Sequence, residues 1–179
     1  MNSDKKSEVD VLQTPIVLVG MMGSGKSALG KALSVALGCP LYDCDDLIVE
    51  EQGMPITQIF SNDGEKAFRM LEQQKMQDLL GRGGCVISTG GGAVTVTEIM
   101  KDIKVRATSV WLRCDVETIL ARLGDDDGRP LLKCDNPRKK LEELLSARES
   151  LYAQADIHVD NMSDDIQDVV NIIIQELRT

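Results

Sequence analysis

At 179 residues, with 42% hydrophobic and 3% aromatic content, the chain is long enough to bury one core built on aliphatic side chains and methionine. A formal net charge of −9 argues against nonspecific binding to nucleic acid or to an anionic membrane surface. Five cysteines, an odd count with no C-x-x-C spacing, argue against a disulfide framework or a zinc site and fit reduced thiols in a cytoplasmic protein.

Residues 1–14 are polar and lack the apolar stretch of a signal peptide, so a flexible tail is expected ahead of a single domain over residues 15–179. No apolar run is long enough to cross a bilayer. Ile16-Val17-Leu18-Val19 reads as a buried strand leading into Gly20-Met21-Met22-Gly23-Ser24-Gly25-Lys26-Ser27, which fits the phosphate-binding pattern G-x-x-x-x-G-K-[ST]. Glycines at that spacing let backbone N–H groups converge on phosphate oxygens, and the helix that follows presents unpaired donors and partial positive charge. Lys26 is placed to neutralise β- and γ-phosphates, and the Ser27 hydroxyl to hold Mg²⁺.

Ala28, Leu29, Ala32, Leu33, Ala36 and Leu37 recur at helical spacing up to a stop at Gly38. Leu41-Tyr42 is extended and leads into Asp43-Cys44-Asp45-Asp46. A helix is predicted over residues 47–52, a turn over 56–60 and, capped by Asn62 or Asp63, a longer helix to about Leu80. Residues 85–89 predict a buried strand that runs into Gly90-Gly91-Gly92. A helix over 97–104, a strand over 109–112 and a helix over 116–123 follow. Residues 124–136 are polar and charged and are predicted to be mobile. Pro137 starts a helix to about Tyr152, residues 157–159 form a last strand, and Ser163 caps a terminal helix. Strands alternating with helices predict a mainly parallel sheet covered on both faces.

In such sheets ligands bind beyond the carboxyl ends of the strands. Four stretches fall there: the phosphate loop, Asp43 with Asp45, Gly90 to Gly92, and the residues after Val159. If the strand persists through Asp45, the two carboxylates share a face and suit a metal shell and a substrate hydroxyl. An acidic turn that merely caps the next helix, which Asp46 alone could do, is the other reading. Three glycines in a row permit close backbone approach to a ligand and leave N–H groups free to donate, or simply make a tight turn. Arg148 falls on the apolar stripe of Leu141, Leu144, Leu145, Leu151 and Tyr152, where a guanidinium requires an anion, either a ligand carboxylate or an internal one. Arg69 has Glu72 three residues on to hold it. Arg122 and Arg129 flank the segment predicted to be mobile, and a lid carrying Arg129 could close over phosphates.

Taken together, these residues resemble the shikimate kinase family, within the wider group of P-loop small-molecule and nucleoside monophosphate kinases. The likeness runs from Ile16 to the terminal helix. It rests on the phosphate loop, Asp43-Cys-Asp45, the Gly-Glu-x-x-Phe-Arg stretch ending at Arg69, Gly90 to Gly92, Gly128-Arg-Pro and Arg148-x-x-x-Tyr152, in that order. The resemblance implies an α/β fold of three layers, α/β/α, with a five-stranded parallel sheet in the order 2-3-1-4-5 and a lid over about residues 123–136. It implies ATP-dependent phosphorylation of the shikimate 3-hydroxyl, on the route to chorismate and the aromatic amino acids. By position, Lys26, Asp45 and Arg129 would be catalytic. Asp45, Arg69, Gly90, Gly91, Gly92 and Arg148 would hold shikimate, the two arginines meeting its carboxylate. Gly23, Ser24, Gly25, Lys26, Ser27, Ala28, Arg122 and Arg129 would hold ATP. Ser27 would ligate Mg²⁺, and Asp43 would support the ion through water.

Three departures from the common P-loop pattern accompany the likeness. Ser88-Thr89 stand where a Walker B aspartate is usual, a trait of shikimate kinases themselves; Ala28 stands where a second hydroxyl is common. Asp125-Asp126-Asp127 put an acidic run in the lid and predict closure that depends on salt or Mg²⁺. Cys44, between the two aspartates, predicts thiol sensitivity, and His158 reads as structural. With no heptad or large apolar helix face in view, a monomer is expected. Gluconate kinase shares the loop and fold, but Arg69, Arg148 and the glycine turn favour shikimate. A non-catalytic nucleotide-binding module is opposed by the intact Lys26, Ser27, Asp43, Asp45 and Arg129.

Overall fold

A computed structural model describes residues 13–123, 135–162 and 165–179. Arg129, the Asp125–Asp127 run, Cys134, Ser163 and nearly all of the N-terminal tail lie outside the described residues. Strands β1 (Ile16–Val19), β2 (Leu41–Asp43), β3 (Val86–Ser88), β4 (Thr108–Arg113) and β5 (Ile157–Asp160) form one parallel sheet in the order β2-β3-β1-β4-β5. Helices α1 (Lys26–Leu37), α2 (Cys44–Gln52), α3 (Ile56–Leu80), α4 (Thr97–Arg106), α5 (Val116–Leu123), α6 (Pro137–Tyr152) and α7 (Ile166–Glu176) pack around it. The order is the one that the family resemblance implied.

The continuous apolar run of β1 follows from its central place. Val17 sits between Ile87 and Ser109, and all four strand residues are buried because both faces are covered. Alternation along the strand divides them between two cores. Val17 and Val19 join Ile48, Phe68, Met76 and Ile99 beneath α2, α3 and α4; Ile16 and Leu18 join Leu29, Leu33, Val169 and Ile173 beneath α1 and α7. Each aliphatic side chain so buried contributes about 1.5–3 kcal/mol before entropic costs. A third cluster of Met21, Cys114, Ile119 and Leu141 ties α5 and α6 to the carboxyl edge of the sheet. No helix among the described residues is long and apolar enough to cross a membrane.

Two element boundaries correct the sequence reading, and both corrections bear on the site. The strand does not persist through Asp45. It ends at Asp43, whose carboxylate accepts from the N–H groups of Asp45 (3.1 Å) and Asp46 (3.5 Å) and starts α2 at Cys44 instead of Leu47. Asp43, and not Asp46, is the cap. Helix α3 begins at Ile56 and carries on through Asn62 and Asp63, which do not cap it. Its one break is Gly64 at φ +80°, a left-handed conformation that glycine takes without steric cost, so the helix kinks there without ending. Helix α7 is capped by Asp165, whose side chain accepts from the N–H of Gln167.

Candidate active site

The phosphate-binding loop turns from β1 into α1 with its carbonyl oxygens engaged from within the protein. Buried Lys26 donates from Nζ to the carbonyls of Gly20 (2.8 Å) and Met21 (2.9 Å). Asn161, one residue past β5, donates from Nδ2 to the Ser24 carbonyl at 2.6 Å, and Arg122 on α5 donates to the same oxygen at 3.3 Å. Gly25, the residue before α1, lies at φ +92°, and a Cβ there would meet the Asn161 amide. The loop therefore fixes a helix N-terminus toward a cleft of about 390 Å³, lined among others by Gly25, Ser27, Asp43, Asp45, Gly90 and Arg122.

Ser27 Oγ donates to Asp43 Oδ2 at 2.8 Å, while Asp43 Oδ1 caps α2. One carboxylate thus sets the start of a helix and orients a hydroxyl at the cleft. Both are hard oxygen donors. Among the described residues no group of three or more His, Cys, Asp or Glu forms a cage. The chemistry of the pair fits an ion that keeps waters and takes its other ligands from phosphate, as Mg²⁺ does.

Asp45 points from the first turn of α2 toward Gly90. Burial, followed by the charge of Asp43, pushes its carboxyl up to about 6 against the pull of Lys26 and Arg69. Glu72 on α3 is fully buried, and burial pushes it up to about 7 against the pull of Arg69. Asp45 Oδ1 and Glu72 Oε1 are buried without a hydrogen-bond partner among the described residues. The glycine turn explains how two such groups come so close. None of Gly90, Gly91 and Gly92 has positive φ, so the reason for glycine is space. A Cβ on Gly90 would lie 2.7 Å from Glu72 Oε1 and 2.8 Å from Asp45 Oδ1; on Gly91 it would lie 2.7 Å from Met22 N; on Gly92 it would overlap the Arg69 guanidinium.

Arg69 Nη1 donates to Glu72 Oε2 at 2.7 Å, as its spacing predicted, and Nη2 donates to Glu65 Oε1 at 3.1 Å. Arg148 is buried and donates to the Gly91 carbonyl at 3.2 Å. Among the described residues Arg148 forms no direct ion pair, its bond being to a neutral oxygen, and the internal carboxylate that the sequence allowed is represented only by Glu72, which attracts it from a distance. Tyr152, one turn on, donates its hydroxyl to the same carbonyl and stacks on Trp111. Both arginines therefore converge on one glycine turn at the end of β3, beside the phosphate cleft. Gly23, Ala28 and Lys26 line that cleft as well; Arg129 lies outside the described residues.

Cys44 corrects an expectation. Its side chain is fully buried, and burial, reinforced by Glu72, Asp45 and Asp43, holds its thiol far above the ordinary range, which opposes the thiol sensitivity that was predicted. His158 faces outward, bonds the Ala155 carbonyl and sets its ring edge against Trp111, a structural setting. Sequence reasoning assigned no individual role to Asn161, Tyr152 or Thr89, whose hydroxyl donates to the Leu18 carbonyl at 2.9 Å. The position of Asn161 just past a strand end was the one available signal.

The shikimate kinase family model matches residues 22–178. A curated shikimate kinase of Persephonella marina is 42% identical over 163 residues, 91% of this chain and 98% of that protein. One of Geobacter sulfurreducens is 42% identical over 91% of this chain and 90% of its own length. Among solved structures, a shikimate kinase from Acinetobacter baumannii in complex with shikimate superposes with a TM-score of 0.88 at 36% identity, covering 90% of this chain and 91% of that one. A gluconokinase from Sinorhizobium meliloti 1021, at 18% identity and a TM-score of 0.58, shares the fold alone.

Proposed function

The chain belongs to the shikimate kinase family and is an ATP-dependent phosphotransferase, and we propose that it performs the transfer to the shikimate 3-hydroxyl with the residues gathered at the carboxyl edge of its sheet. The observation that carries this reading is the convergence of Arg69 and Arg148, far apart in sequence, on the Gly90–Gly92 turn next to the phosphate loop. A buried arginine whose described partner is a neutral carbonyl is a site for an anion. Two arginines at one turn suit a carboxylate, and the adjoining Asp45 suits a hydroxyl of the same molecule.

In this assignment, Gly23 to Ala28 wrap the ATP phosphates with backbone N–H groups, and Arg122 borders the nucleotide base together with the residues after Val159. Lys26 exchanges the loop carbonyls for β- and γ-phosphate oxygens. Ser27, with Asp43 supporting it through water, would hold Mg²⁺, which would supply neutralisation of phosphate charge. Asp45 accepts a hydrogen bond from the 3-hydroxyl and, with its carboxyl held near neutrality, is suited to take the proton as the phosphoryl group arrives. Arg129 brings a further cation with the lid. The rate then comes from alignment and charge stabilisation more than from covalent chemistry. Residues 15–179 act as one domain and as a cytoplasmic monomer. The exposed apolar side chains Val35, Met70, Val105, Met162 and Ile172, scattered over separate elements, support the monomer.

A coupled ADP-release assay with shikimate, gluconate or no acceptor tests the assignment, and turnover is expected with shikimate alone. Gly92→Ala supplies a sharper check. The methyl group occupies the place of the Arg69 guanidinium, so KM for shikimate is expected to rise about tenfold or more while KM for ATP stays within twofold. An equal rise in both constants would mean that Gly92 supports the loop and not the acid site.

A further inference from the structure

The two carboxylates on Arg69 differ in kind. Glu72 is fully buried, bonded at 2.7 Å and packed against Gly90, so it cannot leave without stranding charge in the core. Glu65 holds the other terminal nitrogen at 3.1 Å from a side chain that is 53% exposed, and it can turn into water at little cost. It directly follows Gly64, the kink in α3, where the backbone has open space on its Cβ side. With both acids in place, both terminal nitrogens of the guanidinium are engaged. An arriving anion meets a cation whose donors are already taken.

We propose that Glu65 is a displaceable stand-in for the substrate carboxylate: it occupies Arg69 Nη2 in the ligand-free protein, is exchanged for the acid on binding, and thereby sets affinity for the acid. This rests on the shikimate reading of the same site. The two arginines then divide the work. Arg148, bonded to the neutral Gly91 carbonyl, is ready for the anion, and Arg69 is latched until one arrives. A simple helix pair at i,i+4 predicts the opposite sign, because its loss would loosen Arg69 and weaken binding.

The test begins with the wild-type protein and shikimate; absence of ADP release there refutes the functional reading itself. Given turnover, Glu65→Gln and Glu65→Ala are expected to lower KM for shikimate about two- to fivefold at low ionic strength, the range of an exposed ion pair. Their kcat and KM for ATP are expected to stay at wild-type values. The gain should shrink toward unity in 0.5 M salt, which screens the pair in the wild-type protein. Calorimetric titration of shikimate into each protein reads the same exchange without turnover. An unchanged or raised KM in both variants overturns the proposal, and a raised KM with unaltered kcat assigns Glu65 to positioning Arg69. A gain that persists undiminished in high salt also overturns it.

Discussion

Lys26→Met is expected to lower kcat about a thousandfold while the protein stays folded. Lys26 lines the cleft, and its Nζ is bonded to two carbonyls of the phosphate loop. Those contacts hold a buried ammonium in place, and in the proposed assignment phosphate oxygens replace them. During transfer, charge spreads over the γ-phosphoryl oxygens, and a fixed ammonium in a water-poor cleft stabilises it far more than it would in bulk solvent. Methionine keeps the buried stem and removes only the charge, so circular dichroism should match the wild type. A single-turnover loss below tenfold would take Lys26 out of the chemistry and leave it as a loop brace.

Asp45→Asn should cost about 10²- to 10⁴-fold in kcat, the range for a positioned acid–base group. In the wild type, kcat/KM is expected to fall below about pH 6 as Asp45 takes up a proton in the free enzyme, and the variant should lack that limb. The same substitution should stabilise the ligand-free protein. Asp45 titrates higher folded than unfolded, so its favourable contribution is complete below about pH 4 and is lost as the pH climbs through about 6. Above that, the wild type keeps a desolvated charge beside Asp43, and asparagine does not. Thermal melts should show the two proteins level at pH 4 and the variant ahead by about 2–3 kcal/mol at pH 8. Loss of activity with gain of stability is the signature of a residue retained for its chemistry. A variant less stable than the wild type at pH 8 would contradict the assignment.

The fold was legible because its signals are local. The apolar run of Ile16 to Val19 and the periodicities of α1, α5 and α6 need no distant residue to be read, and strand–helix alternation then leaves few topologies. The phosphate loop was legible for the same reason, being one uninterrupted pattern. Asp43 misled because a carboxylate at a strand end can also start a helix, and only the position of the Asp45 and Asp46 N–H groups decides. Asn62 and Asp63 misled because cap-type polar residues ahead of an amphipathic run read as a start, whereas α3 already begins at Ile56 and runs through them with only a kink at Gly64. Tyr152 on Gly91 and Asn161 on Ser24 join residues 61 and 137 positions apart, and spacing contains nothing about such pairs. The triple glycine was read as close backbone approach to a ligand or a tight turn; that Glu72, Asp45, Met22 and Arg69 also crowd the space a Cβ would take is disclosed only by three-dimensional neighbours.

Trp111 is the chain's single tryptophan, nearly shut off from solvent, with Tyr152 against one side and the edge of His158 against another. Tyr152 in turn bonds the Gly91 carbonyl, in the turn proposed to meet the acid. The protein thus carries its own optical gauge: excited at the red edge, emission comes from the one indole, linked through Tyr152 to the turn assigned to the acid. Titrating shikimate alone should shift its intensity, and the readout requires neither label nor coupled enzyme.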